Sequence, residues 1–146
     1  MAMKGRTSTN TFIDTIIRKF DQQSRNYCLV NANLLARPII YCNDGFCELT
    51  GYPRSEILQK PGSCDFLCGQ LTSSIARQHL REYLSSSDEH HLEMVLYRKN
   101  GVRFICSVMV APVKNEFSEV ILHLLSFEDI TSKHGGRLMG ILTKLF

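Results

Sequence analysis

The chain has 146 residues, with Lys+Arg 17 against Asp+Glu 14, a net charge of +3, 44% hydrophobic and 21% charged residues. This size and apolar content fit one domain that folds alone and exclude disorder throughout. The longest apolar run, Val120 to Leu125, is broken by His123, and Met1 to Asn10 has no apolar signal core, so a soluble, intracellular chain is expected. Charge is end-loaded: residues 1–20 and 133–146 each carry +3 around a −3 body, a pattern that favours an acidic protein surface or an anionic lipid face over nucleic acid.

Phe12, Ile13, Ile16, Ile17 and Phe20 mark one helical face, with Asp14, Arg18 and Lys19 off it. Thr11 and Asp14 fit a capping arrangement, which starts the helix at Thr11 or Phe12. About ten residues are too few for a stable isolated helix, so this face must be buried against the body or against a partner. Tyr27 to Ala32 and Pro38 to Cys42 then read as a β-hairpin.

The period turns helical at Asn43-Asp44, where the side-chain oxygens offer an N-cap, Phe46 and Leu49 point one way and Gly51 supplies a left-handed stop. Pro53 suits the first position of another short helix burying Ile57 and Leu58. Thr72 or Ser73 caps a third, in which Ile75, Ala76, His79, Leu80, Tyr83 and Leu84 share a face, and Ser85 to Asp88 ends it. Leu92, Met94 and Leu96 alternate along a strand, Asn100-Gly101 turns the chain into Val102 to Val113, and Asn115 to Ser118 turns it into Glu119 to Thr131. Two strands, several short helices and three long antiparallel strands make an α+β fold with a five-stranded antiparallel sheet and short helices on one face. The expected organisation is an N-terminal cap over 1–25, a body over 26–132 and a linker or tail over 133–146, where Leu138, Ile141, Leu142 and Leu145 are spaced for a small amphipathic helix.

Asn43-Asp44-Gly45-Phe46-Cys47-Glu48-Leu49-Thr50-Gly51-Tyr52, followed by Glu56, Ile57 and Leu58, resembles the PAS family. Physically, Asn43 caps a helix, Phe46 plugs the core, and Thr50, Gly51 and Tyr52 stop the turn and redirect the chain; these are folding roles. The capped apolar helix over Asn10 to Phe20, with Ile40 to Leu49 and Pro112-Val113-Lys114-Asn115-Glu116, resembles the N-terminal domain of ether-à-go-go-related voltage-gated potassium channels. The resemblance implies a regulatory domain on the cytoplasmic side of the plasma membrane. It would dock on the channel's cyclic-nucleotide-binding homology domain and C-linker in the tetramer and slow channel closing. It also implies a basic gating segment ahead of the helix, here Lys4 and Arg6.

If helices cover only one sheet face, apolar residues on the other form an exposed patch. Tyr27, Leu29, Tyr41 and Leu122 fall there, although burial beneath the leading helix or in the core is the alternative for Leu29 and Leu122. With Phe12, Ile13, Ile16, Ile17, Arg18 and Lys19 they make up the expected partner interface.

The competing class is a ligand- or flavin-sensing PAS module, since Gly62-Ser63-Cys64-Asp65-Phe66-Leu67-Cys68 resembles the flavin-binding loop of light-sensing PAS proteins, with Cys64 at the reactive position. Asp65 stands where those proteins carry arginine and would repel a flavin phosphate, and Cys68 replaces a glutamine. Leu96, Cys106 and Ser126 replace the long amides that read the flavin edge. No cofactor is expected. The six cysteines read as free thiols, and the C-x4-C of Cys42/Cys47 and C-x3-C of Cys64/Cys68 as a weak metal alternative. His79 and His123 read as packed histidines, adjacent His90 and His91 face opposite sides, and Arg98, Lys99 and Arg103 form a charged turn that reads as solvated, with contact to phosphate or an acidic partner as the alternative. No paired carboxylates, phosphate loop or nucleophile constellation points to an enzyme.

Overall fold

A computed structural model describes residues 13–23 and 25–134. Residues 13–22 are helical (α1). Strands β1 (Asn26–Asn31) and β2 (Ile39–Cys42) follow, then α2 (Asp44–Thr50), α3 (Arg54–Ile57), a single 3-10 turn at Asp65–Leu67 and α4 (Ser74–Tyr83). Strands β3 (His90–Tyr97), β4 (Arg103–Lys114) and β5 (Val120–Asp129) complete one five-stranded antiparallel sheet in the order β2-β1-β5-β4-β3.

Asn43 starts α2 as the sequence predicts. Its Oδ1 accepts from the Phe46 N–H at 3.0 Å and from the Tyr27 N–H at 3.1 Å, and its Nδ2 donates to the Arg25 carbonyl at 2.6 Å. One side chain therefore ties the first strand to the first turn of α2. Gly51 ends that helix at φ 77, the left-handed conformation that costs glycine nothing. Pro53 stands one position earlier than expected, as the N-cap residue of α3, and Ser73 is the N-cap of α4.

Alternation in β1 sends Cys28 and Val30 to the face covered by α2, α3 and α4. There they pack with Phe46, Ile57, Leu80, Phe104, Leu125 and Phe127 in the main core, the Phe46 and Phe127 rings 4.9 Å apart. Ile75, expected on the apolar face of α4, is 65% exposed, and His79, expected to pack, is exposed and stacks on Tyr83 at 6.0 Å. Both lie too far round the helix to reach the sheet, and Leu80 and Leu84 do so instead.

The charged turn is structural. Arg98 donates to the Leu49 carbonyl and pairs with Asp129 at 2.7 Å, while Lys99 pairs with Glu56 at 2.7 Å. Together they fasten the β3–β4 end of the sheet to α2 and α3. His90 contacts the Ser86 hydroxyl and stacks on Tyr83, whereas His91 contacts Glu89.

Candidate partner-docking surface

Strands β1 and β5 are buried in near-continuous runs rather than in alternation. In an antiparallel sheet that pattern requires cover on both faces. The second cover is α1. Its Ile13, Ile16, Ile17 and Phe20, all half-buried, pack against Tyr27, Leu29 and Leu124, with Ile40, Tyr41, Met109 and Val113 around them. Phe20 lies 5.7 Å from the Tyr27 ring, and Tyr41 lies 5.9 Å from it on the other side.

The polar end of Tyr27 locks this seam. Its hydroxyl lies 3.2 Å from the Ile17 carbonyl and 3.1 Å from the Asp21 carboxylate, so its single proton is shared between a backbone and a side-chain oxygen of α1. Burial pushes the Tyr27 phenol well above its usual value, with the neighbouring Tyr41 and Asp21 acting in the same direction. Tyr41 is also pushed up, first by burial and then by Asp21.

The expected exposed patch is corrected at three of its four positions. Tyr27 and Leu29 are 0% exposed because α1 spends its apolar face on them, and Leu122 is only 5% exposed. Tyr41 is half-buried at the rim, on the edge strand β2. Arg18 and Lys19, opposite the seam, are exposed. Phe12, Lys4 and Arg6 lie outside the described residues, as do Thr11 and the apolar positions of the tail. Asp21, Phe20, Met109, Val113 and Leu124 belong to the seam without having been singled out as site residues. Period-two spacing from Leu122 to Leu124, and from Met109 to Val113, carried the signal for three of them.

The flavin-loop residues do not fit a flavin. Cys64 is fully buried, its thiol donates to the Gly62 carbonyl at 3.2 Å, and burial pushes it up, away from a thiolate. Asp65 accepts from Arg77 at 3.1 Å and Arg81 at 3.2 Å, so the cations that a phosphate would need are already shared with a carboxylate. Leu96 and Cys106 are packed in the main core with Phe104 and Phe127. A groove of about 330 Å³ lies elsewhere, between α4 and the edge strand β3, lined by Ile75, Ala76, His79, Leu92, Val95 and Ile105 among others. Among the described residues no group of three or more His, Cys, Asp or Glu side chains is placed to hold a metal, and no helix is long and apolar enough to cross a membrane.

A family model described as a PAS domain matches residues 11–132. The chain is 48% identical over 124 residues to the voltage-gated inwardly rectifying potassium channel KCNH2 of Sus scrofa, which covers 85% of this chain and 11% of that one. It is 49% identical over 132 residues to the voltage-gated delayed rectifier potassium channel KCNH4 of Rattus norvegicus, covering 90% and 13%. It thus spans roughly an eighth or less of the length of these relatives. The crystal structure of the PAS domain from the fruit-fly ELK potassium channel superposes with a TM-score of 0.79 at 44% identity, covering 82% of this chain and 98% of that one. A light-oxygen-voltage domain superposes at 0.76 with 23% identity, a likeness of fold alone.

Proposed function

The chain belongs to the PAS domain family, and from that premise we propose that it is the N-terminal regulatory domain of an ether-à-go-go-related voltage-gated potassium channel. In this reading it sits on the cytoplasmic side of the plasma membrane and docks on the cyclic-nucleotide-binding homology domain and C-linker of the same tetramer. Docking slows channel closing. The relatives named above are potassium channels, which supports this reading over a catalytic one.

The observation that carries it is the way α1 is held. Its apolar face is committed to the outer sheet face, while Arg18 and Lys19 face outward and Tyr41 stands at the rim. Arg18 and Lys19, flanked by the exposed Asp14 and Asp21, give an aromatic-edged surface with two adjacent cations that an acidic partner group can pair with. If the partner presents that face in the open state only, docking lowers the free energy of that state and retards closing, and a tenfold change needs about 1.4 kcal/mol. Lys4 and Arg6 would act as the basic gating element ahead of α1.

The test is electrical. Channels lacking residues 1–132 should close faster than complete ones, and supplying this chain as a separate polypeptide should restore slow closing. Closing rates indifferent to both manipulations would contradict the proposal. The flavin-sensing alternative finds no support in the Cys64 environment described above.

A further inference from the structure

All six cysteines are free thiols, and two of them touch: the Cys42 and Cys47 sulfurs lie 3.8 Å apart. Their C-x4-C spacing, too irregular for a zinc knuckle, is what the local fold requires for this contact. Cys42 is the last residue of β2, Asn43 is the cap, and Cys47 stands one turn into α2, so the reversal of the chain at Asn43 turns both side chains toward each other. Cys42 is fully buried, whereas Cys47 is partly exposed. One thiol is therefore reachable by a small reagent, and the other waits behind it.

We propose that Cys42 and Cys47 form a thiol–disulfide exchange site that closes reversibly to an intramolecular disulfide when it meets a low-molecular-weight disulfide of the glutathione type. The Cys47 thiolate attacks one sulfur of the reagent, breaks its S–S bond and releases one thiol, leaving a mixed disulfide on Cys47. Cys42 loses its proton and attacks the Cys47 sulfur, expelling the second thiol and forming the Cys42–Cys47 bond. The two protein thiols give up two electrons and two protons, and the reagent disulfide takes both, leaving as two thiols. The sulfurs must close from 3.8 Å to the roughly 2.0 Å of a disulfide, a movement on the scale of side-chain rotation.

The second step is the slow one. Burial, and then the neighbouring Cys47, push the Cys42 thiol up to about 12, while Arg54 opposes them and donates to the Cys42 carbonyl at 3.1 Å. Rate therefore falls steeply below alkaline pH because the attacking species is the thiolate. Once formed, the bond staples the junction at which Asn43 joins the start of β1 to α2.

The experiment incubates the folded chain with oxidised glutathione at pH 8, quenches with acid, alkylates in denaturant and maps chymotryptic peptides without reduction. Cleavage after Tyr41 and Phe46 places Cys28, Cys42 and Cys47 on separate peptides. The expected product is a disulfide joining the Cys42 and Cys47 peptides, lost on reduction, and formed as the single bond of the folded chain rather than as one of several when the chain is first unfolded and its thiols react at random. In the Cys42→Ser variant a glutathione adduct should persist on Cys47. Recovery of both peptides alkylated, a lasting adduct on Cys47 of the unaltered chain, or a bond from Cys42 to Cys28 would each overturn the proposal.

Discussion

Asn43 carries more of the fold than its size suggests, because three backbone groups, in β1, just before it and in α2, depend on one amide. Asn43→Ala should cost about 2–3 kcal/mol, the loss of a cap plus buried groups left unpaired, and urea unfolding would read it as a lower midpoint at unchanged slope. His123 sets a pH dependence. It is 2% exposed, its Nε2–H donates to the Ser86 carbonyl at 3.0 Å, and its Nδ1 has no partner among the described residues. Burial holds its pKa below the usual 6.5, against the Ser86 contact and with help from Arg37. The neutral ring is favoured when folded, so this contribution is fully present above 6.5 and is lost as pH falls through the folded value. His123→Leu should flatten the fall in stability between pH 7 and 5, and an unchanged slope would show that other groups govern it. Asn43 was legible because a cap, a plug and a stop stand at fixed spacing. The role of His123 was legible only as packing, since the Ser86 carbonyl that it meets is 37 residues away.

At the scale of elements, α1 is the piece most easily released, joined to the body by half-buried side chains and one phenol. Tyr27→Phe removes the bonds to Ile17 and Asp21 while keeping the ring, and should weaken the seam by about 1 kcal/mol. Ile16→Asp puts a charge into it and should free α1. Amide exchange over residues 13–22 would rise in both variants, far more in the second, while β4 and β5 stay protected. The helix itself was evident from its period, and so was the need to bury it. Its place was harder to read, because β1 presents Tyr27-Cys28-Leu29-Val30 without alternation. That run was compatible with one covered face and an exposed patch until the register against β5 put Leu29 opposite Leu124 beneath α1.

The whole molecule is a sheet covered on both sides: a packed core under α2 to α4, and a lighter seam under α1. On this arrangement the two parts of the expected interface separate experimentally. Variants in the seam alter stability and α1 exchange as well as docking, whereas Arg18→Glu with Lys19→Glu alters the outward face alone and should leave unfolding within about 0.5 kcal/mol of the original. Tyr41→Ala, at the rim, should weaken docking and also loosen its contact with Tyr27. The most direct test is a titration of this chain against the isolated C-terminal cytoplasmic domain of the proposed channel at low and high salt. The account predicts saturable binding that weakens with salt and falls at least tenfold in the Arg18→Glu, Lys19→Glu variant. Absence of saturable binding, or binding indifferent to both salt and charge reversal, would contradict it.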